Sequence, residues 1–108
     1  MPESNERGAL TEAVYLILIS LQDELHGYGI MQKVTEMSNR RVNLGAGTLY
    51  GALNTLVKKQ YIKQVENGKE SRKKMYMITD LGTDVLKGEI KRLKELISIG
   101  ENNLKEIK

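Results

Sequence analysis

The chain is predicted to be mainly α-helical with one small β-hairpin, an α+β fold, and three features of its 108 residues carry that prediction. Several stretches place apolar residues at a 3.6-residue period, the mark of helices with one face in a core. After Ile62 the period drops to 2, and Asn67-Gly68 then supplies a strong two-residue turn signal. From Leu86 onward the apolar residues recur at alternating steps of 4 and 3, which is a heptad seam.

Residues 1–8 are polar, contain the chain's only proline, and are expected to form a flexible N-terminus. Thr11, or a residue just before it, is expected to cap a first helix running to about Gln22. Its apolar positions (Leu10, Ala13, Val14, Leu16, Ile17, Leu18, Ile19, Leu21) cover most of the circumference. Such a helix must be buried on more than one side. Gln22 to His26 breaks the pattern, with His26 read as a turn or cap residue. A second helix is expected from Tyr28 to Met37, with Ile30, Val34 and Met37 as its stripe. Ser38–Asn43 reads as a polar loop.

The third helix, residues 46–59 with Gly45 at its cap, organises the rest. Leu49, Ala52, Leu53, Leu56 and Val57 fall on one face. Gly47, Gly51, Asn54 and Lys58 fall on the other, flanked by Thr48, Tyr50 and Thr55. That outer face has one charge, no acid, and two glycines that each cost about 1 kcal/mol of helix propensity relative to alanine. Small residues interleaved with hydrogen-bonding and cationic ones suit a helix whose backbone must come close to something. The DNA major groove, about 12 Å wide, admits a helix. A helix, a short connection and a second helix with a reading face is the helix-turn-helix layout.

A strand that begins with Ile62 and Val65 and a return strand Lys74–Thr79 are expected to pair as the hairpin, and a basic hairpin beside such a helix makes the layout a winged one. Residues 58–74 hold seven Lys or Arg against two Glu, a local surplus of +5 in a chain whose net charge is only +3. That localisation fits a nucleic-acid footprint. An exposed hairpin kept from aggregating by its lysines is the plainer reading of the same residues. Thr79 or Asp80 is expected to cap a last helix of about 27 residues, roughly 40 Å long. Leu86, Ile90, Leu93, Ile97, Gly100, Leu104 and Ile107 form its seam. The first part of that seam would pack on the first helix, and the remainder needs a partner chain. Residues 9–80 are thus read as a DNA-binding domain and residues 81–108 as a dimerisation helix.

Composition excludes several function classes. Without cysteine there are no disulfides, thiolate metal sites or thiol nucleophiles. One histidine and scattered carboxylates give no transition-metal spacing, and no nucleophile, base and oxyanion set is visible. No enzyme, metal or cofactor is expected. The longest apolar run, Ala13–Ile19, falls far short of a membrane span and Met1–Gly8 lacks the core of a signal peptide, so a soluble, cytoplasmic protein is expected.

Taken together, His26-Gly27-Tyr28-Gly29-Ile30, then Gly47-Thr48-Leu49-Tyr50, then Lys74-Met75-Tyr76 with Ile78-Thr79-Asp80-Leu81-Gly82, closely resemble the PadR family of bacterial transcriptional regulators over roughly residues 10–95. The resemblance implies a winged helix-turn-helix homodimer that represses by occupying a pseudo-palindromic operator in double-stranded DNA. It further implies DNA contacts from Tyr28, Gln32 and Lys33, and from Thr48, Tyr50, Gly51, Asn54 and Lys58. The wing would bring Lys69, Ser71, Arg72, Lys73 and Lys74 to phosphates. Tyr50 has an alternative as a core residue, and Tyr76 reads as structural. Leu18, Leu86, Ile90, Leu93, Ile97 and Leu104 would form the dimer interface. Gly45-Ala46 replaces the polar cap frequent in the family. Drug-binding members of the small subfamily carry a tryptophan where this chain has Leu93, and the chain has no Trp or Phe. An aromatic sandwich is therefore not expected, which leaves an apolar effector pocket lined by Leu18, Ile90, Leu93 and Ile97. A winged-helix module that docks on proteins is the alternative function.

Overall fold

The computed structural model describes residues 8–65 and 74–105. Its elements are α1 (Glu12–Ser20), β1 (Leu25–His26), α2 (Gly27–Met37), α3 (Ala46–Lys58), β2 (Ile62–Val65), β3 (Met75–Ile78) and α4 (Asp80–Asn103). Thr11 starts α1 from an extended backbone, its hydroxyl oxygen accepting the Val14 N–H at 3.1 Å. Ile17 and Leu18 are fully buried, and Val14, Tyr15, Leu16 and Ile19 are half-buried, because α1 packs against both α2 and α4. The helix stops at Ser20, short of the expected Gln22.

Helices α2 and α3 close in the same way. Arg40 N–H donates to the Thr35 carbonyl at 2.8 Å and Asn39 N–H to Glu36 at 3.1 Å. Likewise Tyr61 N–H donates to Leu56 at 3.0 Å and Gln60 N–H to Val57 at 2.9 Å. This is the Schellman pattern. It puts Asn39 (φ 55°) and Gln60 (φ 67°) in the left-handed region, where glycine is the usual occupant. The stripe of α2 reaches only from Ile30 to Val34; Met37, expected on it, is 37% exposed because the helix ends there and the chain turns away.

The sheet has three strands in the order β1-β3-β2, all antiparallel. Ile62 pairs with Ile78 and Val65 with Met75, giving the expected hairpin. The central strand β3 also pairs with β1, Leu25 opposite Tyr76 and His26 opposite Met75. The sequence reading missed β1, because two residues display no period. The Asn67-Gly68 turn lies outside the described residues.

One junction ties α3, the sheet and α4. The Tyr61 carbonyl accepts the Thr79 N–H at 3.0 Å, and the Thr79 hydroxyl donates to the Gln60 carbonyl at 2.7 Å. The same hydroxyl oxygen accepts the Gly82 N–H at 2.9 Å and so caps α4. Gly82 is buried, and a Cβ there would collide with the Tyr61 carbonyl and lie 2.8 Å from Ile78 Cγ1.

Gly82, Val85, Leu86 and Glu89 sink the first turns of α4 into the core, so the expected boundary at residue 80 is not a packing boundary. Glu89, 6% exposed, accepts two hydrogen bonds from Arg92 at 2.8 and 2.6 Å and one from the Leu10 N–H at 3.2 Å. The Arg92 hydrogen bonds hold its carboxyl below the usual range against the opposing effect of burial, and Leu10 adds to the lowering. Beyond Leu93 the helix leaves the domain. Leu96, Ile97 and Ile99 are 49%, 59% and 58% exposed, and the molecule is drawn out to 59 Å against 33 and 21 Å. Helix α4 ends at Asn103, earlier than expected, and Ile107 lies outside the described residues.

Because the obstacle at Gly82 is backbone, Gly82→Ala is expected to destabilise the fold by about 2 kcal/mol, the scale of core overpacking, read as a lower urea midpoint. Glu89 gives a pH dependence. A carboxyl depressed in the folded state stabilises it fully above its unfolded pKa of about 4.3 and loses that stabilisation as pH falls through the lower folded value. Glu89→Gln should therefore be less stable than wild type at pH 7, with the gap closing below about pH 4 in the same urea titration.

Candidate nucleic-acid interface

Helix α3 begins at Gly45, whose backbone is extended and which offers no side chain to the first turn. The N–H groups of that turn therefore stay available, with the positive end of the helix dipole behind them. Leu49, Leu53 and Leu56 are buried and seat the helix on the core. Gly47, Thr48, Gly51, Asn54 and Lys58 are all exposed. A Cβ added at Gly45, Gly47 or Gly51 would meet nothing within 4 Å, so the protein itself leaves the space above all three empty. The face carries no acid, and Lys58 stands in the last turn, where a cation complements the helix dipole.

Helix α2 packs beside α3. His26 is its cap: Nδ1 accepts the Gly29 N–H at 3.1 Å, while His26 also holds the β1 register opposite Met75. The turn-or-cap reading of His26 thus holds. Tyr28 is 62% exposed, its ring stacked loosely on His26 at 6.5 Å between centroids, and its hydroxyl accepts a long 3.4 Å bond from Gln32. Lys33 sits 3.8 Å from the Asp23 carboxylate, so this cation is already neutralised in part by its own chain. Arg41, in the loop between α2 and α3, pairs with Glu12 of α1.

Tyr50 is 43% exposed, but its hydroxyl end rests on Gly27 at the start of α2. It is neither a core residue nor a plain member of the outer face. Tyr76 is buried at 4% exposure, and that burial, with Tyr50 as a lesser contributor, pushes its phenol pKa up; it is structural, as read from the sequence. Lys74 is exposed at the entry to β3. Lys69, Ser71, Arg72 and Lys73 lie outside the described residues.

Two residues expected at a dimer interface belong to the protomer's own core. Leu18 is 0% and Leu86 5% exposed, because the first positions of the seam are consumed by packing between α1 and α4. Ile90 and Leu93 are half-buried, and Ile97 and Leu104 are 59% and 76% exposed. The four residues expected to line an effector pocket differ in their surroundings. Leu18 is sealed in the core, and Leu93 instead faces a groove with Leu10, Glu12, Tyr15 and Glu89. The sequence reading also missed Leu96 and Ile99, which stand beside the seam and could have been found by plotting the helix as a full wheel. It missed Gly27 as the seat of Tyr50, for which the signal was a glycine inside the first helical turn. Among the described residues no three His, Asp or Glu side chains gather to hold a metal, and no helix is long and apolar enough to cross a membrane.

Comparison with known proteins places these features in context. The model of the transcriptional regulator PadR-like family matches residues 16–88. The fold is similar to a PadR family transcription regulator from Clostridium difficile, with a TM-score of 0.74 and 26% identity over 88% of this chain and all of that one. A PadR-like transcriptional regulator from Bacillus cereus superposes with a TM-score of 0.70 at 22% identity, over 88% of this chain and 92% of that one. A curated relative, an uncharacterized 37.1 kDa protein in transposon TN4556 of Streptomyces fradiae, is 37% identical over 79 residues, 72% of this chain. This chain spans only 22% of that relative's length.

The anchoring of α2 by His26 is open to direct measurement. His26→Ala removes the acceptor for Gly29 and is expected to cost about 1 kcal/mol of stability, while His26→Asn, which keeps a capping oxygen, should recover most of it in thermal unfolding.

Proposed function

The chain belongs to the PadR-like family of transcriptional regulators, and on that premise we propose that it is a cytoplasmic homodimeric repressor that reads a pseudo-palindromic operator with α3. The observation that carries this reading is the outer face of α3: acid-free, exposed, and cleared of side chains at Gly47 and Gly51. Two such helices, one per subunit, would enter successive major grooves about 34 Å apart. Asn54 is the assigned base reader, since an amide pairs bidentately with adenine. Thr48 and Gly51 line the same approach, and Tyr28 and Gln32 flank it from α2. Lys58, Lys74 and the wing residues Lys69, Ser71, Arg72 and Lys73 supply salt-sensitive affinity for phosphates. Residues 9–80 would carry DNA binding.

The exposed apolar stripe of Leu96, Ile97, Ile99 and Leu104 supports the dimer. A water-facing helix keeps such a stripe dry by packing it on a second copy, with Ile90 and Leu93 continuing the seam inward. An apolar effector, if the repressor is released by one, would bind where Leu93 and Ile97 meet the partner.

Selection of bound duplexes from a random-sequence pool at about 0.15 M salt tests the reading. It should recover an inverted repeat with half-site centres about 10 base pairs apart. Salt-sensitive binding without enrichment would instead make the protein a sequence-blind DNA binder, and no binding would move it to protein docking. On the recovered sequence, Asn54→Ala should flatten sequence preference, whereas Lys58→Ala should weaken all duplexes alike and lower the salt slope by about 1. Equal losses on operator and unrelated DNA for Asn54→Ala would sink its role as base reader.

A further inference from the structure

Of the glycines in the helix-turn-helix, only Gly27 has its missing side chain replaced by another residue. A Cβ built there would lie 2.7 Å from Tyr50 Cζ, with the hydroxyl oxygen closer still. Gly27 is buried and opens α2; Tyr50 stands in the second turn of α3. The contact therefore joins the start of α2 to the first half of α3. Among the neighbours of Tyr50 on its own helix, Gly47 three residues before and Asn54 four residues after lie on its outer side. Gly47 has open space above it. The inner side of the Tyr50 ring is closed by the core residues Leu49 and Leu53. A ring displaced from α2 would turn outward and back over the preceding turn, into the open space at Gly47.

We propose that Gly27 is a positioning residue for sequence reading: by leaving room for the Tyr50 hydroxyl it parks the ring against α2 and keeps the Gly47–Asn54 surface clear. The inference rests on the DNA-reading assignment of α3 made above, and adds a determinant of specificity that itself touches no base. The obstacle at Gly27 is the far end of a side chain, so alanine there moves the tyrosine ring rather than the backbone. At Gly82, by contrast, the obstacle is backbone.

The test compares wild type, Gly27→Ala, Tyr50→Ala and the double variant for binding to the sequence recovered by selection and to an unrelated duplex, with thermal midpoints for all four. Gly27→Ala is expected to lose roughly tenfold on the recovered sequence, the scale of one base contact, with little change on the unrelated duplex. The double variant, with the ring gone, should return to the sequence preference of Tyr50→Ala alone. Equal losses on both duplexes, or a double variant as poor as Gly27→Ala, would overturn the proposal. So would a double variant that fails to fold, since Gly27 would then serve the fold for a reason other than Tyr50. Wild type without any sequence preference would overturn the DNA-reading assignment together with this inference. Wild-type preference that Gly27→Ala leaves unchanged would overturn the inference alone.

Discussion

The Tyr61 carbonyl stands where α3 hands over to the sheet, and most of the architecture is referred to it. It accepts the Thr79 N–H, it blocks any side chain at Gly82, and the carbonyl beside it accepts the Thr79 hydroxyl. One threonine therefore ends β3, caps α4 and holds the exit of α3. Backbone hydrogen bonds have narrow geometry, so the angle between α3 and α4 is set by more than side-chain packing. A shape-only contact slides; this one is directional. The left-handed Gln60 is what allows Tyr61 to present its carbonyl there, because the Schellman closure turns the chain within a single residue.

Around that junction the core is shared by all four helices but finishes early. Leu49, Leu53 and Leu56 of α3, Ile30 and Val34 of α2, Ile17 and Leu18 of α1, and Leu86 of α4 fill one cluster. Glu89 closes it at the edge, where its bonds from Arg92 and Leu10 stitch the segment before α1 to α4. Past Leu93, every described residue of α4 is exposed, Leu96, Ile97 and Ile99 among them. Helices draw most of their stability from a packed face. The distal half of α4 is thus a surface that a second copy would complete, in the homodimer proposed above.

Much of this was legible in the sequence, for definable reasons. The bounds of α3 follow from a strong 3.6 period and a glycine cap, and they agree with the structure to within a residue. The change to period 2 located β2 and β3 correctly. What escaped was non-local. Strand β1 is two residues long and exists only because β3 offers it a free edge. The seam was expected to pack first on α1 and then on a partner, but it does not show where one ends and the other begins, so Leu86 was also placed at the dimer interface although it is buried where α4 meets α1. Leu18 was misassigned for the same reason: a helix apolar on most sides does not say which side faces inward. The proposed DNA-facing residues on α3 are those a helical wheel exposes, except Tyr50, whose flank position could not reveal the hydroxyl contact with α2.

The glycines separate the two demands on this chain. Gly82 and Gly27 are required from within, one by a carbonyl and one by a tyrosine ring. Gly45, Gly47 and Gly51 are required by nothing inside the protein, since a methyl group at any of them would stand in open space. Glycine within a helix nonetheless costs about 1 kcal/mol relative to alanine. In the DNA-reading proposal, the two on the exposed face of α3 leave room for something that approaches the backbone more closely than a Cβ permits. Stability alone would favour alanine at Gly47 and Gly51, as it would at Gly88 and Gly100 of α4, which also stand in open space; what sets the α3 pair apart in the DNA-reading proposal is the acid-free face they share.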